Sequence, residues 1–102
     1  MYIGLIVVIN NFENGALKSN FILSIKQLQD VKVCLVCNTS DDQVFEMLFE
    51  IVHKCKNATL LNNKRKKFNT ASVRAGARYL YSQYNLKYVG YIVGMKNGKI
   101  LE

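Results

Sequence analysis

Tyr2 to Asn14 reads YIGLIVVINNFEN, and within it every residue of Tyr2–Ile9 except Gly4 is apolar. Ile3, Ile6, Val7, Val8 and Ile9 are β-branched, and the run stops at Asn10 and Asn11. An unbroken apolar run, as opposed to an alternating one, predicts a strand covered on both faces, the habit of a central strand in a parallel α/β sheet. Ligands of such sheets lie beyond the carboxyl ends of the strands, where strand order reverses. Asn10 to Gly15 is therefore the first candidate binding loop.

Working outward, the pattern alternates helix and strand. Leu17, Phe21, Ile22, Ile25 and Leu28 repeat at helical spacing and predict an amphipathic helix over 16–29. Val31 to Cys37, VKVCLVC, is a second strand. Ser40-Asp41-Asp42-Gln43 then offers a capping box, Ser40 as the cap and Gln43 reaching back, before the stripe Val44, Phe45, Leu48, Ile51, Val52 and Cys55. Ala58 to Leu61 predicts a third strand, and a basic loop, Asn62 to Lys67, follows it. A third helix is expected from about Thr70, with Val73, Gly76, Ala77, Leu80 and Tyr84 facing the core. The small residues Ala71, Ala75, Gly76 and Ala77 would let it lie close to a sheet. Tyr88 to Val93 is the fourth strand.

This βαβαβαβ order predicts an α/β, three-layer αβα fold around a mostly parallel four-stranded sheet of order 3-2-1-4. The chain has 102 residues, enough for one domain with one core. An apolar fraction of 50% excludes disorder. No run reaches the roughly 18 apolar residues of a membrane span, and no leader precedes the first strand. Three cysteines, an odd number, do not form a disulfide framework, so a cytoplasmic location is expected. The formal charge of +7 points to an anionic partner: nucleic acid, a membrane surface or nucleotide phosphates. With no proline in the chain, turns rest on Asn, Gly and Ser. Leu101-Glu102 reads as a cloning scar after a domain of 1–100, which leaves room for a longer natural chain.

Cys34-Leu35-Val36-Cys37 has redox spacing, but residues three apart in a strand point to opposite faces, so structural thiols are expected. His53 reads as a surface residue without metal partners. Lys64-Arg65-Lys66-Lys67 is the strongest charge feature; it either meets phosphates at a helix start or is solvated. Arg74, Arg78 and Lys87 could extend a basic face on which Phe68, Tyr79, Tyr81 and Tyr84 stack bases. The absence of any RNP, KH, helix-turn-helix or zinc-finger pattern argues against nucleic acid.

Several of these segments together resemble family 2 glycosyltransferases of the GT-A, Rossmann-like fold, specifically their N-terminal nucleotide-sugar-binding half. Ile9-Asn10-Asn11-Phe12-Glu13-Asn14 stands where that family has a Pro-x-Tyr-Asn-type loop, with Ser24-Ile25 in its first helix. Cys37-Asn38-Thr39-Ser40-Asp41-Asp42 stands in the place of Asp-Asp-Gly-Ser-x-Asp, and Ser40 and Asp42 match. Asn62 or Asn63, Lys67, Ala71 and Gly76 fit a third segment, with Arg74 in a slot often held by Asn or Arg. The resemblance covers about residues 3 to 95. It implies a nucleotide-sugar site in which Asn10, Asn11, Phe12, Glu13, Asn38, Ser40 and Asp42 cradle base and ribose, while Lys67 and Arg74 approach the diphosphate.

The departures from the family pattern bear on activity. Its metal motif, Asp-x-Asp, falls on Val93-Gly94-Met95, which offer no oxygen ligands to a hard cation. The first acidic residue of the second-strand motif is replaced by Cys37 or Asn38, and the glycine before the third helix by Phe68. The family's catalytic base would lie past residue 102. The expectation is a donor-binding fragment or degenerate relative, inactive alone, with no metal and no catalytic residue assigned. The alternative from another class is a non-catalytic module binding a protein or polyanion through its basic loop. A homodimer through the uncharged strand 88–95 is also expected, because such a strand at a sheet edge recruits another chain.

Overall fold

In the computed structural model, which describes residues 1–11 and 17–94, the chain forms β1 (Tyr2–Ile9), α1 (Leu17–Gln27), β2 (Val31–Cys37), α2 (Asp42–Lys54), β3 (Ala58–Asn62), α3 (Asn69–Gln83) and β4 (Leu86–Val93). The sheet is four-stranded with order β3-β2-β1-β4, and every pairing is parallel. This is the expected three-layer, Rossmann-like arrangement. Helices α1 and α2 cover one face, and α3 covers the other.

The unbroken apolar runs explain the layering. Val7, Ile9, Val33, Leu35 and Cys37 point toward α1 and α2, where they meet Phe21, Ile25, Val44, Leu48 and Ile51. The alternate residues Ile6, Val8, Cys34 and Val36 point toward α3 and meet Leu80 and Leu86. β1 and β2 therefore bury both sets of side chains, which an alternating strand would not do. Each such fully buried aliphatic contributes about 1.5–3 kcal/mol. Cys34 and Cys37 fall on opposite faces, each buried and free, and burial pushes the Cys34 thiol up to about 12.

Helix α3 approaches β1 closely at Gly76. A Cβ there would lie 2.7 Å from Ile6 Cγ2, well inside contact distance. Ala77 packs on the same cluster, but Ala71 is exposed and does not contribute to the approach, contrary to the small-residue reading of that position.

The start of α2 differs from the expected capping box. Its cap is Asp41, not Ser40: Asp41 Oδ1 accepts the Gln43 backbone N–H at 2.9 Å, and Thr39 Oγ1 accepts the Asp41 N–H at 3.2 Å. A carboxylate adds charge to the capping bond at the positive end of the helix dipole, which a serine hydroxyl would not. His53 is exposed and packs on the Phe49 ring. No described helix is long and apolar enough to cross a membrane.

Candidate functional site

The carboxyl ends of β1, β2 and β3 are tied together by a set of side-chain amides. Asn38, the residue after β2, is fully buried. Its Nδ2 donates to Asn10 Oδ1 at 2.8 Å and to the Lys67 carbonyl at 2.9 Å. Its Oδ1 accepts from Asn63 Nδ2 at 2.9 Å and from the Lys67 N–H at 2.8 Å. Asn63 also donates to Ser72 Oγ at 2.8 Å, and Asn10 Nδ2 donates to Asn69 Oδ1 at 3.1 Å. Among the described residues no buried side-chain polar atom lacks a partner. A fully satisfied buried network of this kind holds loops in one arrangement.

The expected site residues thus separate by role. Asn38 has no free polar group for a ligand, so it positions the loops after β1 and β3 and does not itself cradle a base. Asn10 is half-buried and bonded to Asn38 and Asn69, and Asn11 is exposed beside it. Ser40 and Asp42 line an open hollow of about 390 Å³ together with Thr39, Asp41, Phe45, Asn62 and Lys64. Lys67 is held by both of its backbone groups, with its ammonium side exposed. Arg74 projects from the exposed side of α3 and is not among the residues that line this hollow. Phe12, Glu13 and Met95 lie outside the described residues.

The lip of the hollow carries backbone strain. Lys64 has φ 64°, a left-handed conformation that a non-glycine residue adopts at a penalty of about 1–2 kcal/mol. Asn62 Oδ1 accepts the Lys64 N–H at 3.0 Å and fixes that turn, which sets the cationic loop next to Asp41 and Asp42. Helix α3 is preceded by Phe68 at its N-cap, which makes no side-chain capping bond.

At the carboxyl end of β4 the exposed Val93 is followed by Gly94, which has φ 75° and donates its N–H to the Val8 carbonyl at 2.6 Å. These two residues supply no side-chain oxygen, so they do not fit a divalent cation. Among the described residues no group of three His, Cys, Asp or Glu side chains could hold a metal ion.

Asn69 and Ser72 belong to the amide network and were not singled out in the sequence. The available signal was the recurrence of asparagine just past each of β1, β2 and β3. Compared with protein-family models, curated proteins and solved structures, the chain matches none.

Proposed function

We propose that the carboxyl edge of this sheet binds a nucleoside diphosphate, as the donor-binding part of a glycosyltransferase-like domain. The observation that carries the reading is the hollow itself. Asp41, Asp42 and Lys64 line one space, and Asn38 bonds the loop that follows β3 through both backbone groups of Lys67. Carboxylates accept from ribose hydroxyls and base N–H groups, while Lys64 and Lys67 face phosphates. Asn10 and Asn11 add polar groups at the end of β1, the strand where the order reverses.

In this reading lysines take the place of a divalent cation, so binding is weak, about millimolar, and independent of Mg²⁺. A group transfer is not assigned to this chain alone. The protein is cytoplasmic, and β4 pairs with β4 of a second copy. Calorimetric titration of UDP and GDP, with and without Mg²⁺, tests the reading. Asp42→Asn is expected to weaken binding several-fold, and equal affinity in the variant would remove Asp42 from the site.

A further inference from the structure

The described surface has a second feature that the nucleotide site does not use. Phe68 is 86% exposed, the most exposed large apolar side chain among the described residues. It stands directly after Lys64, Arg65, Lys66 and Lys67, all exposed, and with Lys66, Lys67 and Ala71 it bounds an open slot of about 640 Å³. Along α3 the buried stripe is Ser72, Gly76 and Leu80. On the other side Ala71, Arg74, Arg78 and Tyr81 fall at helical spacing, and all four are exposed. Tyr81 is 55% exposed, whereas Tyr79 and Tyr84 pack against the core under α3.

The charge along this face has one sign. The sequence holds no acidic residue between Glu50 and Glu102. Among the described residues the salt bridge is Lys18–Glu50, on α1 and α2, and neither the loop cations nor the two arginines form one with a described carboxylate.

We propose that the face running from Lys64 through Phe68 along α3 to Tyr81 binds single-stranded nucleic acid. The four loop cations, Arg74 and Arg78 meet successive phosphates, and the rings of Phe68 and Tyr81 are planes on which unpaired bases stack. From Ala71 to Tyr81 the helix advances about 15 Å, the length of a few nucleotides. The slot beside Phe68 admits the edge of a planar base. A lipid surface would need several apolar side chains at one level, and among the described residues of α3 and the loop before it Phe68 is the one large apolar side chain exposed at that end. Lys64 and Lys67 are shared with the proposed nucleotide site, on which this inference does not depend: it rests on Phe68 and Tyr81, which that site does not contain.

Fluorescence anisotropy with labelled twelve-nucleotide oligouridylate and oligothymidylate tests the proposal on the full chain. Binding is expected at low salt, with a slope of log affinity against log salt of about −4 for six neutralised phosphates, since each on a single strand contributes about −0.7. Phe68→Ala and Tyr81→Ala are each expected to weaken binding by about five-fold or more, and Phe68→Trp to retain it. Both side chains are mostly outside the core, so a circular dichroism spectrum matching the parent is expected of each variant. The proposal is overturned by no binding at 50 mM salt, by unchanged affinity in both alanine variants, by equal affinity for duplex of the same length, or by retention on phosphatidylserine vesicles without oligonucleotide binding. Failure of the diphosphate titration leaves these outcomes unaffected, because the stacking variants report on rings outside that site.

Discussion

The side chain of Asn38 pairs with both backbone groups of Lys67, donating to its carbonyl at 2.9 Å and accepting its N–H at 2.8 Å. A side-chain amide thus serves the loop as a neighbouring strand would, at a place where β3 has already ended. Asn38→Ala leaves both Lys67 backbone groups without their side-chain partner and takes one of two acceptors from the Asn63 amide, in a part-buried place. A loss of about 2–4 kcal/mol is expected, read as a lower midpoint in urea unfolding. A variant as stable as the parent would show that the network is not holding the loops.

Gly76 sets the separation of α3 from the sheet. Alanine is favoured over glycine in a helix by about 1 kcal/mol, but its Cβ would sit 2.7 Å from Ile6 Cγ2. The contact atom is a branch methyl of a buried strand residue, which cannot swing aside. Gly76→Ala is therefore expected to destabilise by about 1–3 kcal/mol. In Ile6→Ala the obstacle is gone, so the double variant should lose less than the sum of the single losses. Strict additivity in thermal or urea unfolding would contradict the close approach.

Burial raises the thiols of Cys34, Cys37 and Cys55, and Cys34 furthest, to about 12 from an ordinary 9.0. The folded state then holds its thiol protons where the unfolded chain releases them. The contribution is complete below pH 9 and declines from there toward pH 12, by at most about 1.4 kcal/mol per pH unit for Cys34. Urea unfolding from pH 7 to 10.5 should show a shallower alkaline decline in Cys34→Ala than in the parent. Equal slopes would contradict the assignment.

The strands and their order were legible because β1 and β2 carry apolar residues without alternation and each helix has a clear stripe. The cap of α2 was not, since Thr39, Ser40, Asp41 and Asp42 can each cap a helix, and only the backbone geometry at Asp41 selects among them. In the site, Asn38 and Lys67 were visible as individual polar residues past strand ends. Their pairing was not, because it joins positions 29 residues apart through a side chain that sequence periodicity does not register. The exposure of Phe68 was equally hidden: an aromatic next to a helix start reads as core or surface with the same letters.

The edge strand β4 gives a further test. Tyr91 is 63% exposed, and no charged side chain interrupts Tyr88 to Val93. An open apolar edge of this type pairs with another chain. Sedimentation velocity is expected to show a dimer fraction that grows with concentration and is suppressed by Tyr91→Lys. A monomer at every concentration would remove β4 as an interface.

The central claim, that the carboxyl edge of the sheet takes a nucleoside diphosphate, is tested most directly by amide chemical shifts of isotope-labelled protein titrated with UDP or GDP to millimolar concentration. The account predicts perturbations at Asn10, Asn11, Asn38 to Asp42 and Lys64 to Arg74, with Asn38 responding through the loops it holds, and the same pattern with and without Mg²⁺. Shifts confined to other residues, or none at all, would contradict it.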